Sequence, residues 1–425
     1  MRNPLLDIPA AFHRGEPRGI TSVCSAHPVV IEAALCLARD LDRLALIEAT
    51  CNQVNQDGGY TGMNPADFRR FVERIAEKVG YPSERIILGG DHLGPNPWKA
   101  LPPDEAMAKA DVMIAAFAEA GFTKIHLDTS MGCLGEPVAL DDAATAARAA
   151  RLAVIAEARS KSDIPPVYVI GTEVPVPGGA TEDLDHLQIT KPEAVAQTYH
   201  VHQHAFETRD LEDAFARVIA LVVQPGVEFG HADVVHFDPE EAVELSACLN
   251  DMQGLVFEAH STDYQTVAGL RGLVQQGFAI LKVGPWLTFA LREALYALDA
   301  IADVIDGHPP KGRLMAAMEE VMQGAPENWS NYYSGSDREL WLQRHFSYSD
   351  RIRYYWPSEK AKSAVATLLA RFEGRTIPEP VLRQFLGDLV QQRMSAQPDQ
   401  LLVSSVQQVL RVYEHAANPM QTSVA

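Results

Sequence analysis

Eight short apolar runs alternate with longer helical segments up to about residue 305, and this alternation restricts the fold more than any other feature. Each run is almost continuously apolar, which is typical of parallel strands covered by helices. The runs lie at residues 19–25, 44–50, 85–92, 124–129, 167–173, 218–224, 254–260 and 279–284. We therefore predict an α/β fold in which eight β/α repeats close into a (β/α)₈ TIM barrel. An open, doubly wound sheet is the structural alternative.

The pattern changes after about residue 305, where the strand signals stop and helical patterns continue. These patterns surround an aromatic cluster made of Tyr332, Tyr333, Trp341, Phe346, Tyr348, Tyr354, Tyr355 and Trp356. No Gly/Ser-rich linker separates the two parts. We predict a barrel over residues 1–305 and a helical C-terminal extension over residues 306–425, packed on the barrel.

The charge balance excludes several classes of partner. The chain has 56 Asp and Glu residues against 36 Lys and Arg residues, so its formal net charge is −20. Nucleic acids and anionic membranes are bound through clustered positive charge, so we expect neither as a partner. No apolar run is long enough for a membrane span. The five cysteines form no C-x-x-C pair, which favours reduced thiols and a cytoplasmic protein.

Polar residues gather where the predicted strands end. In a barrel of this kind the active site lies at the carboxyl ends of the strands. For a single polar residue, a hydrogen bond within a loop is an equally good explanation. All eight predicted strand ends, however, carry at least one polar residue. Those that predict a substrate site are Ser25, Glu48, Asn52, Asp128, Ser261, Thr262, Asp263 and Lys282.

Three histidines indicate a metal site. His92, His231 and His260 stand at or just after the ends of the third, sixth and seventh predicted strands. Three converging imidazoles suit a divalent metal with an open coordination position. A purely structural role for each histidine is the alternative. Asp91, directly before His92, is a candidate general acid/base, with a structural or helix-capping carboxylate as the alternative.

Two further features are compatible with chemistry at the strand ends. Glu173 follows the fifth strand in a loop that contains Gly178 and Gly179; the carboxylate suits acid/base work, and glycines allow close backbone approach to a ligand. An ordinary loop is the alternative. Lys282 could form a Schiff base or bind phosphate. Neither the P-loop pattern nor G-x-G-x-x-G is present, so both common nucleotide fingerprints are missing.

Several long motifs resemble one family. They are GGDHLGPNPW (89–98), HLDTSMGC (126–133), GTEVPVPGG (171–179), VVQPGVEFGH (222–231), EAHSTDYQT (258–266), ILKVGPWLTFALREAL (280–295) and SDRIRYYWP (349–357). Together they resemble the GatZ/KbaZ family over nearly the whole chain. Members of that family are known as companion subunits of D-tagatose-1,6-bisphosphate aldolase. Some carry the name tagatose-6-phosphate kinase, and some act as sugar-phosphate 4-epimerases.

The family in turn is similar to the class II aldolases, which are zinc-dependent (β/α)₈ barrels. The resemblance implies that Asp91 acts on a substrate hydroxyl, that His92, His231 and His260 bind Zn²⁺, and that Glu173 with its Gly-Gly loop belongs to the site. The sequence departs from the aldolase pattern at two phosphate-binding turns. Ser261-Thr262-Asp263 replaces a Gly-rich loop, and Lys282-Val283-Gly284-Pro285 replaces an Asn-containing turn.

Three functions remain open at this stage. The resemblance implies a metal-dependent epimerase that converts D-tagatose 6-phosphate to D-fructose 6-phosphate by retro-aldol cleavage and re-addition. The alternatives are a non-catalytic subunit that stabilises a class II tagatose-bisphosphate aldolase and, more weakly, a sugar-phosphate kinase. The expected ligand is a phosphorylated ketohexose, and a homo-oligomer is the expected assembly.

Overall fold

Eight parallel strands close into a barrel, as the alternating pattern predicts. The computed structural model describes residues 2–172, 187–391 and 397–418. The barrel strands are β1 (Ile20–Cys24), β2 (Ala45–Thr50), β3 (Ile86–Leu93), β4 (Lys124–Leu127), β5 (Val167–Ile170), β6 (Val218–Val223), β9 (Val256–Ala259) and β10 (Phe278–Val283). Around the barrel the order is β1-β10-β9-β6-β5-β4-β3-β2. A small antiparallel pair, β7 (Glu228–Phe229) and β8 (Val234–Val235), follows β6.

Helices cover the barrel. They are α1 (Asp7–His13), α2 (Pro28–Asp40), α3 (Pro65–Val79), α4 (Pro103–Glu119), α5 (Asp142–Arg159), α6 (Pro192–Glu207), α7 (Glu212–Phe215), α8 (Val243–Ala247), α9 (Val267–Gln275), α10 (Pro285–Ile305), α11 (Arg313–Gly324), α12 (Asp337–Phe346), α13 (Glu359–Ala370), α14 (Glu379–Gln391) and α15 (Pro398–Ala417). Among the described residues, none of these helices has the length and apolar character needed to cross a membrane.

Helix α3 shows how local sequence fixes such an element. The Asn64 side chain accepts a hydrogen bond from the Asp67 backbone N–H, and the Asp67 carboxylate accepts one from the Asn64 backbone N–H. This reciprocal cap satisfies two amides that the helix leaves free, and Pro65 occupies the first turn, where no N–H is needed. The helix ends at Gly80, whose φ of 70° is left-handed and favours glycine.

The N-terminal segment closes the bottom of the barrel. The Asn3 side-chain amide donates to the carbonyls of Thr123 and Pro165, which lie one and two residues before β4 and β5. Leu5 and Ile8 pack into the apolar lower layer of the barrel interior. Because this end is filled, the open cavity lies at the opposite end, where the strands finish.

The C-terminal helices share the core of the barrel. Helix α10 ends at Ile305, but α15 returns to pack between α2 and α9 and against β1. The backbone N–H of Gly19, just before β1, donates to the carbonyl of Ala417 at 2.9 Å. The Tyr413 hydroxyl donates to the carbonyl of Thr262, just beyond β9, at 2.8 Å. The last helix is therefore part of the barrel wall, although it lies far from that wall in sequence.

Candidate active site

Four buried side chains converge at the carboxyl ends of β3, β4 and β9. Each contributes one oxygen or nitrogen atom to a group in which all four atoms lie within 4.8 Å of one another, and its members are Asp91, His126, Glu258 and His260. Nδ1 of His126 is 3.0 Å from Oδ1 of Asp91, and Nε2 of His260 is 2.9 Å from Oε1 of Glu258. We call these four residues the acid–histidine cluster.

Asp91 and His92 both face this region because the end of β3 is irregular. Neighbouring strand residues normally point to opposite faces. The β3–β4 register shifts between Gly90 and Leu93, and His92 has a left-handed φ of 49°. Such a conformation is costly for a residue other than glycine and is retained where the surrounding structure holds it. It places Nδ1 of His92 2.8 Å from Oδ2 of Asp128, which therefore orients the ring.

Two lysines pair with the buried acids below and beside the cluster. Nζ of Lys124, which is fully buried, is 2.8 Å from Glu48 and 2.7 Å from Glu258. Nζ of Lys282 is 2.8 Å from Asp91 and 3.1 Å from Glu48. A paired ammonium is a poor nucleophile, so these contacts favour an electrostatic role for Lys282 over Schiff-base formation.

Gly89 makes room for this network. A Cβ atom at position 89 would lie 2.6 Å from Cγ of Glu48, closer than atoms without a bond can approach. The glycine before Gly90-Asp91-His92 is thus required by the neighbouring buried carboxylate on β2.

The burial and the neighbouring charges move several pKa values. Burial opposes ionisation of Asp91, but the charges of His92 and Lys282 hold its pKa well below the usual range. Burial likewise disfavours the charged form of Glu258, yet Lys124 and Lys282 keep its pKa low. Burial lowers the pKa of His260 to about 4, so its ring is neutral at neutral pH. Asp91 and Glu258 are therefore carboxylates beside a neutral imidazole.

The donor set fits a divalent cation on two grounds. Nδ1 of His126 is already engaged, because it lies 3.0 Å from the Asp91 carboxylate and 3.2 Å from the backbone nitrogen of His92; the buried Nε2 has no hydrogen-bond partner within the described parts of the chain and is the ring nitrogen left for a metal. The charges also leave an excess. Within the described residues, the buried carboxylates of Glu48, Asp91, Asp128 and Glu258 face the ammonium groups of Lys124 and Lys282 and the imidazole of His92, whose pKa is raised by Asp91 and Asp128 against the effect of burial. A bound cation would offset the negative charge that remains.

The structure does not bring His231 into this cluster. Strand β6 ends at Val223, and His231 lies further on, in the turn between β7 and β8, where it contacts the C-terminal extension. There Nδ1 of His231 is 3.2 Å from the Ser347 hydroxyl and Nε2 is 3.0 Å from the Tyr332 carbonyl. The acid–histidine cluster shares only His260 with the predicted trio of His92, His231 and His260, whose role as metal ligands stays a prediction. His231 lies eight residues past the end of β6, so the path of the loop, and not the direction of the strand, determines the position of its side chain.

The other predicted residues divide between the cavity and its supports. Asn52, Ser261 and Lys282 line the cavity, and Ser25 lines an adjoining pocket. Glu48 and Asp128 are buried supports, as described above. The Thr262 hydroxyl is turned into the wall, 3.1 Å from the Tyr413 hydroxyl. Glu173, Gly178 and Gly179 lie outside the described residues, so their predicted roles stay predictions.

Three residues of the site, His126, Glu258 and Lys124, were not predicted from the sequence. A signal existed in the period-two pattern of strands. Glu258 precedes His260 by two residues and His126 precedes Asp128 by two, so each pair shares one face of a strand. The analysis also gave no role to Arg353, which reaches the cavity from the C-terminal extension. No local pattern marks that residue.

The fold and the site define the class: a (β/α)₈ barrel with a buried acid–histidine–lysine centre at the carboxyl ends of its strands. The chain belongs to the D-tagatose-1,6-bisphosphate aldolase subunit GatZ/KbaZ-like family, which matches residues 5–418. The resemblance inferred from the motifs is therefore confirmed.

Named relatives cover almost the whole chain. A D-tagatose 6-phosphate 4-epimerase from Agrobacterium fabrum is 54% identical over 97% of this chain and 98% of the relative. A D-tagatose-1,6-bisphosphate aldolase subunit GatZ from Escherichia coli is 49% identical over 96% of this chain and 98% of the relative. A solved structure of a probable tagatose 6 phosphate kinase from Sinorhizobium meliloti 1021 is 56% identical. It superposes with a TM-score of 0.87 and covers 94% of this chain and 100% of its own.

Proposed function

We propose that this protein is an enzyme that inverts carbon 4 of D-tagatose 6-phosphate to give D-fructose 6-phosphate. The observation that carries the proposal is the buried acid–histidine cluster, which opens into a cavity at the catalytic end of the barrel. Its groups suit proton transfer and the stabilisation of negative charge on oxygen. The choice of sugar rests on the 54% identical relative that bears the 4-epimerase name.

Asp91 is the acid/base of the proposed reaction. It takes the proton from the C4 hydroxyl as the C3–C4 bond breaks, so C4 becomes an aldehyde and the electron pair forms an enediolate over C2 and C3. The aldehyde then turns, the enediolate attacks its other face, and Asp91 returns the proton to the C4 oxygen. No atom is gained or lost, and only the configuration at C4 changes. Lys282, 2.8 Å from Asp91, keeps this carboxylate ionised and in place.

A divalent cation, with zinc as the proposed ion, completes the site. His126, Glu258 and His260 form the two-imidazole, one-carboxylate type of donor set that catalytic zinc sites use. When bound, the cation would stabilise negative charge on the substrate oxygens. The set of His92, His231 and His260 predicted from the sequence is the competing assignment.

Metal content of two variants separates these assignments. His126→Ala should lose the metal that elemental analysis finds in the wild-type protein, while His231→Ala, the matched control, should retain it. Loss of metal in His231→Ala with retention in His126→Ala would establish the competing set. Circular dichroism checks that both variants are folded.

The function itself is tested with the purified protein alone. D-Tagatose 6-phosphate should be converted to D-fructose 6-phosphate, as followed by ¹³C NMR, and a chelator should stop the conversion until Zn²⁺ is restored. Absence of turnover by the metal-loaded protein would contradict the proposal.

A second function is supported by the relatives named as aldolase subunits. In that case the protein would stabilise a class II aldolase partner without turning over a sugar itself. Increased aldolase activity on adding this protein, together with no epimerase activity, would favour the subunit function. The kinase name of one relative has weaker support, because the sequence carries neither common nucleotide-binding fingerprint.

We also propose a cytoplasmic location and a homo-oligomeric state. All five cysteines are free, as expected in a reducing compartment. Size-exclusion chromatography with light scattering tests the oligomeric state.

A further inference from the structure

An arginine from the C-terminal extension stands in the cavity without an acidic partner. Arg353 lines both the cavity above the acid–histidine cluster and the adjoining pocket. Its guanidinium donates to the Tyr354 hydroxyl at 2.9 Å, to the Asp350 carbonyl at 3.1 Å and to the Ser349 carbonyl. Within the described ranges, no carboxylate oxygen lies within ion-pair distance of it. It therefore offers a positive charge to a bound anion.

The place where barrels of this kind usually bind phosphate is already filled. That place lies in the loops after the seventh and eighth strands, beside the N-terminus of a helix. Here Oδ1 of Asp263 accepts hydrogen bonds from the backbone N–H groups of Gly284 and Trp286, at 3.1 and 2.7 Å. The carboxylate satisfies the amides that would otherwise hold a phosphate oxygen, and its negative charge would repel one.

The residues around Arg353 suit a phosphate beside a sugar. Asn52, Gln53, Tyr60 and Ser261 line the same cavity and are neutral hydrogen-bonding groups. Asp91 lines it as well, and so does Asp263, whose Oδ1 is engaged by two backbone N–H groups. In a chain with a net charge of −20, a local cation is needed to hold a phosphorylated sugar.

We propose that Arg353 binds the 6-phosphate of the substrate, so that the C-terminal extension, and not the loops after β9 and β10, provides the phosphate site. This inference rests on the proposed function for the identity of the sugar, although the anion site itself does not. The phosphate lies on the half of the sugar that becomes the aldehyde when C3–C4 breaks. Arg353 would therefore also retain that fragment until the bond re-forms.

The test compares Arg353→Met with Arg353→Lys and with Arg338→Gln, which removes a charge from an exposed position in the same extension. Arg353→Met should raise KM for D-tagatose 6-phosphate by about 10- to 150-fold, which corresponds to loss of charge-assisted hydrogen bonds. Arg353→Lys should recover part of this loss, and Arg338→Gln should resemble wild type. With unphosphorylated D-tagatose, kcat/KM should be the same for all four proteins.

A second readout depends on the fragment itself. Arg353→Met should release dihydroxyacetone and glyceraldehyde 3-phosphate in a larger share of its turnovers than wild type. A merely structural role of the arginine would lower activity without this selective release. A KM for D-tagatose 6-phosphate within twofold of wild type in Arg353→Met would overturn the inference.

Calorimetric binding separates failure of this inference from failure of the proposed function. D-Fructose 6-phosphate should bind wild-type protein more tightly than D-fructose, and Arg353→Met should abolish the difference. If the protein turns over no sugar yet shows this pattern, the anion site stands and the epimerase proposal fails. Equal loss of affinity for both sugars in Arg353→Met would refute the phosphate site.

Discussion

The cavity has two walls that differ in how their charges are held. One, the strand wall, consists of the acid–histidine cluster with Glu48, Lys124 and Lys282, and its charges pair with each other over 2.7–3.1 Å. The other, the extension wall, consists of Arg353 and Tyr354, where the cation donates only to carbonyls and a hydroxyl. Mutual pairing keeps the carboxylates of the strand wall ionised and therefore ready to accept a proton, whereas a cation without an acid suits ligand recognition. The difference assigns the chemistry to the strands and recognition of the substrate to the extension.

The two walls are also positioned by different forces. Strand registers fix the first, because neighbouring parallel strands end at the same edge. The second depends on contacts distant in sequence: the Tyr348 N–H donates to the His231 carbonyl at 2.9 Å, and the Tyr264 hydroxyl donates to the Tyr348 carbonyl at 2.7 Å. His231 thus acts as a support for the extension in this structure.

The strand wall should respond most strongly to Asp91→Asn. We expect kcat to fall by about 10²- to 10⁴-fold, the usual contribution of a positioned acid/base, because the amide keeps the shape but cannot exchange the proton. KM should change little, in contrast to Arg353→Met, and steady-state kinetics on both variants measures the split. Asp104→Asn, at an exposed position on α4, is the control. A loss below tenfold in Asp91→Asn would remove this residue from the acid/base role.

The pairing within the strand wall is tested by Lys282→Met. Removing this buried ammonium takes from Asp91 its ammonium partner, while Glu48 keeps its pair with Lys124, so we expect the free energy of unfolding to fall by about 3–5 kcal/mol. Lys78→Met breaks an exposed ion pair with Glu32 and should cost about 1 kcal/mol or less. Denaturant titration of both variants measures the difference. Equal costs would show that the buried charges are solvated and not mutually dependent.

The sequence predicted most of the fold and part of the strand wall. Continuous apolar runs located all eight barrel strands, with ends that differ by at most three residues from the structure. Asp91, His92 and His260 were predicted to lie near the active site because they stand at the carboxyl ends of strands, where the active site of such a barrel lies. These predictions succeeded because burial and strand periodicity are local properties of the sequence.

The remaining features depend on geometry that local patterns do not contain. His231 belongs to a loop, so its ring follows the contacts of the extension and not the direction of β6. Arg353 lies in an aromatic segment whose route across the barrel mouth is set by long-range packing. Helix α15 likewise enters the barrel wall from the far end of the chain.

The smallest expected effect concerns Asp263, where the two walls meet. Burial raises the pKa of Asp263 to about 6. Two backbone hydrogen bonds and the charge of Arg353 lower this pKa, but burial has the larger effect. In the unfolded chain the pKa is about 3.9. Between these values the folded protein holds a proton that the unfolded chain has lost, so the contribution of Asp263 to stability falls as pH rises through this window. Above about pH 6 both states are ionised, and the folded state bears the full cost of the buried charge.

Asp263→Asn should remove this cost, because the amide oxygen can still accept from Gly284 and Trp286. The variant should be more stable than wild type by roughly 1–3 kcal/mol at pH 8, and the advantage should shrink towards pH 4. Unfolding free energies of both proteins at the two pH values give the measurement. In an Arg353→Met background the gain at pH 8 should be larger, because the nearby cation no longer favours the carboxylate. A stability gain that does not change with pH would show that burial does not destabilise the ionised form of Asp263. An unchanged gain in the double variant would show that the two walls are electrostatically independent.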